Sequence, residues 1–155
     1  AYRTLRAGRT VYGGGGIRPD VLVEADTTGF SDYYAELIRR GIVADFVGDW
    51  LDRSRDSLSR LYPVFEAFDA GYTPSDAVLD GLARLGSERG VKFDAAGFAV
   101  SEPVMRAQLK ALAAQRLFGT GAYFQVVNPA LSPAYARALA ILEAWNEQGA
   151  PMLEP

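Results

Sequence analysis

The sequence contains no cysteine and no histidine. Without cysteine there is no disulfide and no thiol nucleophile. Without histidine there is no imidazole base for a nucleophilic triad, and the usual zinc donor sets are missing as well. A cysteine-free chain suits an oxidising or a reducing compartment equally, so redox chemistry assigns it to neither. Lysine is scarce: Lys92 and Lys110 are the only two, and the fourteen arginines are scattered rather than gathered into a stripe. With a net charge of −3 there is no electrostatic reason to expect nucleic acid as a partner. No apolar run approaches the roughly 20 residues of a membrane-spanning helix. No signal-peptide pattern opens the sequence.

What remains is an ordinary globular composition, 49% apolar and 23% charged, over 155 residues. That length supports one core without staples. The first stretch, to about Thr28, reads as β. Tyr2 to Leu5 form a short extended run, Ala7-Gly8 a turn, and Arg9 to Tyr12 a returning strand. Four glycines, Gly13 to Gly16, lead to Ile17-Arg18-Pro19-Asp20-Val21-Leu22-Val23. Pro19 donates no ladder hydrogen bond and belongs at the start or edge of that third strand. A hairpin and one further strand cannot make a core of their own. The segment from residue 1 to Val23 is therefore expected to be poorly ordered alone, or to pair with the same segment of a second molecule.

Everything after Thr28 reads as helical. Ser31 is placed to cap a helix over Asp32 to Arg40, which Gly41 ends. In the next, Ile42 to Leu61, the residues Val43, Phe46, Val47, Trp50, Leu51, Leu58 and Leu61 share one stripe, and Pro63 stops it. A short helical turn follows around Val64 to Phe68. Thr73-Pro74-Ser75-Asp76 predicts a helix start with a capping threonine, running to about Arg89 before Gly90. Phe68-Asp69-Ala70-Gly71-Tyr72 and Phe93-Asp94-Ala95-Ala96-Gly97-Phe98 look alike and read as two similar helix entries, each ahead of a capped helix, and Ser101-Glu102-Pro103 is read as the start of the helix that continues to about Phe118. Tyr123 to Val127 is an aromatic connector, extended or helical, and Ser132-Pro133 opens the last helix, to about Gln148. The fold class is thus mainly α: a bundle of about five helices preceded by a short β segment.

Gly8-Arg9-Thr10-Val11-Tyr12, the glycine run and Gly16-Ile17-Arg18-Pro19-Asp20-Val21 together resemble the end of the protease domain in carboxyl-terminal processing (tail-specific) serine proteases. In that family a Gly-Arg pair and then Gly-Ile-x-Pro-Asp close the catalytic sheet shortly after the catalytic lysine. The four-glycine form followed by a helical tail is similar to a bacterial cell-envelope subgroup. So is the stretch from Gln108 to Gly119 with Tyr123-Phe124 and Asn128-Pro129. Arg6-Ala7 stands where many members have Pro-Ser or Asp before the Gly-Arg pair, which alters the turn chemistry. The resemblance implies that 1–28 are the closing strands of a truncated protease domain and 29–155 a helical C-terminal domain. It implies a parent serine endopeptidase with a Ser-Lys dyad, acting near protein C-termini in the periplasm or cell envelope. The implied partners are the upstream protease and PDZ domains of the same polypeptide and the protein substrates of the whole enzyme. A homo-oligomer stays open, and no nucleic acid or cofactor is implied. The family's serine, lysine and PDZ domain all precede the Gly-Ile-x-Pro-Asp motif, so no catalytic, cofactor-binding or metal-binding residue is carried over to this chain.

Four features are weighed on their own chemistry. A Ser-Lys dyad needs a desolvated lysine within reach of a serine. Lys92 is expected in an exposed loop, Lys110 in a helix with no serine one turn away, and Ser101 as an N-cap. Asp45, Asp49, Asp52 and Asp56 share a helix face and could hold a hard cation. The interleaved Arg53, Arg55 and Arg60, with i,i+4 pairs Asp49–Arg53 and Asp56–Arg60, make a solvated charged face the preferred reading. Gly13 to Gly16 lack the following helix and lysine of a phosphate cradle and read as a sheet crossing. Tyr33, Tyr34, Phe46, Trp50, Tyr62, Phe65, Phe68 and Tyr72 are expected mostly in the core. The rival to the protease reading is an independent helical interaction module. A small stand-alone hydrolase would need a site assembled within the chain.

Overall fold

In the computed structural model, residues 2–3, 10–11 and 21–148 are described. Tyr2–Arg3 (β1) and Thr10–Val11 (β2) form a two-rung antiparallel ladder, with Tyr2 opposite Val11 and Arg3 opposite Thr10. The expected third strand lies partly outside the described residues, and its described part, Val21–Val23, carries no ladder. The order expectation for the N-terminal segment likewise falls largely outside them. Seven helices follow among the described residues: α1 Asp32–Arg39, α2 Ile42–Leu61, α3 Phe65–Gly71, α4 Asp76–Glu88, α5 Ala95–Phe118, α6 Thr120–Leu131 and α7 Pro133–Gln148. The fold is mainly α, a helical bundle after a short β segment. The five expected helices are present. The other two, α3 and α6, arise from segments read as a helical turn and as an open connector.

Contacts gather into two compact units. Asp26–Ser132 holds α1 to α6. The described residues of Ala1–Ala25 and Pro133–Pro155 form the other, so that α7 groups with the N-terminal strands. Within the first unit α5 is the hub, contacted by α1, α2, α3, α4 and α6. Its Val104, Met105, Leu109, Ala111, Ala113 and Ala114 are all buried. The run of alanines explains how neighbours approach from several sides, because a methyl group keeps the helix narrow while favouring helix.

Ser31 caps α1 as expected, accepting a hydrogen bond from the Tyr34 amide at 3.2 Å. Gly41 and Gly90 end α1 and α4 with φ of +72° and +80°, a region that glycine enters without a Cβ penalty. The α2 stripe is buried at Val43, Phe46, Val47, Leu51 and Leu58, and Trp50 is half-buried. Leu61, in the last turn, departs from the expectation at 69% exposure.

Two helix starts differ from the sequence reading. Ser101 is not an N-cap. The Asp94 carboxylate accepts the Ala96 amide at 3.1 Å and starts α5 seven residues earlier. Pro103 therefore lies inside the helix, where it removes only the amide that would reach the Ala99 carbonyl; Ala99 is exposed, so water can serve that carbonyl. Ser101 is fully buried, and its hydroxyl accepts the Ser31 amide and donates to the Ser31 hydroxyl, both at 2.8 Å. Thr73 does not cap α4. Ser75, with extended dihedrals, occupies the N-cap without a side-chain cap bond, and the buried Pro74 lies ahead of the helix with its carbonyl bound by Arg106.

The expected aromatic core is present. Tyr33, Tyr34, Phe46 and Phe68 are buried, while Trp50, Tyr62, Phe65 and Tyr72 pack half-buried against them. Trp50, Tyr72 and Phe68 stack in series, with centroids 6.2 and 4.8 Å apart, and Phe68 continues to Phe118 at 5.5 Å. Of the aromatic connector, Tyr123 is half-buried and Phe124 is 52% exposed, so α6 turns only part of it inward.

Burial raises the Tyr34 phenol well above its ordinary value near 10, with Tyr123 adding to the effect. It raises Tyr72 likewise, with Tyr62 adding, and Tyr33 to a lesser degree, with Asp94 adding. Below pH about 10 folded and unfolded chains both keep these protons; above it the unfolded chain releases them while the folded chain holds them. Stability is therefore expected to fall as pH rises past about 10. Titration at 295 nm should show these tyrosines ionising together with unfolding, and Tyr34→Phe should flatten the alkaline slope of chemical-denaturation stability.

A second expectation concerns two glycines. A Cβ on Gly86 would lie 2.7 Å from Leu37 Cδ2, whereas one on Gly48 would meet nothing within 4 Å. Gly86→Ala should cost about 1–3 kcal/mol through overpacking. Gly48→Ala, inside α2, should add about 0.5–1 kcal/mol through helix propensity. Urea midpoints of the two variants should move in opposite directions.

Candidate functional site

A cleft of about 440 Å³ opens between the α3–α4 loop, α5 and α6, with two cations on its wall. Pro74, Ala107, Val126, Pro129 and Ala130 make its apolar walls, and Asp69, Thr73, Arg106, Lys110 and Gln125 its polar groups. Arg106 and Lys110 are one turn apart on α5 and so project from the same face.

Both cations are occupied. Arg106 Nε donates to Glu102 Oε1 at 3.0 Å and Nη2 to the same oxygen at 2.6 Å. Nη2 also donates to Asp76, and Nη1 to the Pro74 carbonyl. Asp76 first, then Glu102, hold the guanidinium above its ordinary value. Lys110 Nζ donates to the Asp69 carbonyl and lies 3.0 Å from Asp69 Oδ1.

No Ser-Lys dyad assembles among the described residues. Ser101 and Lys110 are nine residues apart on one helix, about 13 Å along its axis, and the Ser101 hydroxyl is engaged by Ser31. Lys92 lies in an exposed loop, as expected.

The carboxylate row on α2 is arranged differently from its expected pairs. Arg53 Nε donates to the backbone carbonyl of Asp49, not its carboxylate, and Asp56–Arg60 makes no ion pair. The i,i+4 spacing puts such residues in range, but Arg53 finds a closer acceptor in the turn below. Asp45 instead pairs with Arg89 across to α4 at 3.1 Å. Among the described residues no three acidic side chains gather as a metal site would need. The glycine run 13–16 lies outside the described residues. No described helix is long and apolar enough to cross a membrane.

Residues 33–119 match the model of a family of unknown function, DUF8443, over more than half of the chain. The chain belongs to this family. The DUF8443 span covers α1 to the end of α5, so it contains the hub helix and the four helices that precede it. Asp69, Thr73, Pro74, Arg106, Ala107 and Lys110 fall within it; the α6 wall of the cleft does not. No curated protein matches the chain, and no solved structure does.

Sequence reasoning missed the Arg106 node, although Glu102 to Arg106 at i,i+4 was a readable signal for half of it. The other half is a contact 30 residues away, which spacing cannot reveal. Arg106→Ala leaves the buried Pro74 without its guanidinium and should cost about 1–3 kcal/mol. Arg106→Lys should restore only part of that, since a point charge cannot reach three acceptors in a plane. Thermal melts of the two variants check the order.

Proposed function

We propose that this chain is the C-terminal part of a carboxyl-terminal processing serine endopeptidase, in which it serves as a non-catalytic accessory domain for docking, assembly or substrate access. The observation that carries the reading is the order of Gly8-Arg9, the glycine run and Gly16-Ile17-Arg18-Pro19-Asp20 ahead of a helical tail. Its support from the coordinates is that Thr10 and Val11, inside the first motif, are antiparallel ladder residues, as a closing strand requires. On this reading the parent acts in the periplasm or cell envelope, on protein substrates presented by a PDZ domain.

A second reading, an independent helical interaction module, is favoured by a different observation. The unit Asp26–Ser132 completes a core without the N-terminal strands, and the family span begins only at residue 33.

The two readings separate on the natural polypeptide around this chain. With a PDZ domain and a serine and lysine upstream, that polypeptide should cleave β-casein, and replacing its serine by alanine should abolish cleavage. The 155-residue chain alone should leave β-casein intact. A natural polypeptide with no upstream protease region would sink the first reading, and cleavage by the isolated chain would sink the accessory role.

A further inference from the structure

The hub helix is joined to α6 by a single residue. α5 ends at Phe118, α6 begins at Thr120, and only Gly119 lies between them. The hydrogen bonds barely register the break. The Gly119 amide donates to the Gln115 carbonyl at 3.0 Å, as the next residue of α5 would, and the Gly119 carbonyl accepts the Ala122 amide at 3.1 Å. What separates the two helices is one pair of dihedrals, φ +97° and ψ 174°, a region open essentially to glycine alone.

Through that turn α6 folds back along α5. The Tyr123 hydroxyl, one turn past the hinge, accepts from Gln108, about three turns before it, at 3.0 Å. Val126, Pro129 and Ala130 meet Arg106, Ala107 and Lys110 across the cleft. Ala122 and Val126 are buried, with Tyr123, Val127 and Leu131 packed half-buried beside them. Among the described residues α5 is the principal neighbour of α6. The DUF8443 span stops at residue 119, at the hinge itself, so α6 is an arm appended to the family core.

An antiparallel hairpin opened at its turn carries both halves of its own contact. With Gly119 helical, Ala95–Leu131 becomes one helix about 55 Å long. Gln108 and Val126 then lie about five turns apart, and Ala111 and Ala122 about three, so both halves fall on one stripe. Two such helices pair antiparallel about a two-fold axis, α6 of each on α5 of the other, and every hairpin contact is made twice. Opening also offers the Thr120 and Gly121 amides the carbonyls of Arg116 and Leu117. In the hairpin α6 starts with no side-chain cap, and the Arg116 carbonyl takes only a long bond from Arg55, at 3.4 Å. Against exchange stand the lost freedom of association and the poor helix propensity of glycine. Because the remaining contacts are common to both forms, residue 119 sets the balance.

We propose that this chain exchanges α6 with a second copy of itself, by straightening at Gly119, to form a two-fold dimer. Dilute chains keep the hairpin, and concentrated chains exchange. Nothing in the exchange depends on the protease reading.

Single cysteines report on it cleanly, because the chain has none of its own. Ala107 on α5 and Ala130 on α6 line the same cleft. A107C chains and A130C chains are mixed, unfolded in urea, refolded together at high concentration and treated with a short bis-maleimide. Exchange should join position 107 of one chain to position 130 of another, in a dimer seen by sedimentation, and refolding from dilute solution should not. G119A should lower the dimer dissociation constant at least about a hundredfold, tenfold for each of the two hinges, since alanine is disfavoured in the turn and favoured in the helix. G121A, helical in both forms, should leave that constant nearly unchanged. Inserting Gly-Ser-Gly-Ser after residue 119 of G119A should return the monomer with the same helix content, which shows that the fold survives the substitution. A monomer at every concentration, in the parent chain and in G119A, would overturn the proposal. A dimer that gives no crosslink between chains at 107 and 130 would overturn it equally, and that crosslink in the parent chain decides alone if G119A does not fold.

Discussion

Burial of α5 from several directions is the constraint on which the bundle depends. A helix that touches five others cannot present bulky side chains to all of them, and its buried positions mix the small Ala111, Ala113 and Ala114 with the larger Met105 and Leu109. Such a helix has a weak apolar stripe, because it has no consistently wet side. Its early start at Asp94 follows from the same demand. Two further turns bring Gly97 under Tyr33, where a Cβ would sit 3.0 Å from the tyrosine Cβ, and place Ser101 against Ser31.

The charged groups around α5 act as ties between segments. Arg106 joins the start of α4 to α5, Lys110 joins α3 to α5, and Arg55 donates to the Arg116 carbonyl at 3.4 Å, joining α2 to the end of α5. The cleft is thus bordered by two cations, Arg106 and Lys110, whose partners belong to the protein itself. A guanidinium serving three acceptors organises a loop more readily than it releases one to take up a ligand.

Amphipathic helices were the most legible part of the sequence. The bounds of α2 follow from its stripe and from Gly41 and Pro63, and the start of α7 follows from Pro133. The misread starts share a cause. Local rules place Pro103 in a first helical turn and Pro74 at a first helical position, but one sits inside a longer helix and the other lies ahead of its helix with its carbonyl bound by a side chain far along the chain. The stretch Phe93 to Phe98 reads as an entry ahead of the helix, whereas Asp94 within it is the cap itself. The candidate site was legible only in fragments, because its cations meet partners 30 and 41 residues away.

The approach of α1 to α4 at Leu37 and Gly86 has a consequence for how this fold varies. The two positions share one volume, so bulk gained on α4 must be surrendered on α1. A relative with a larger residue at 86 would need a shorter one at 37, and the two columns of an alignment would change together. The space between two helices is thus a heritable quantity, held jointly by residues 49 positions apart and belonging to neither.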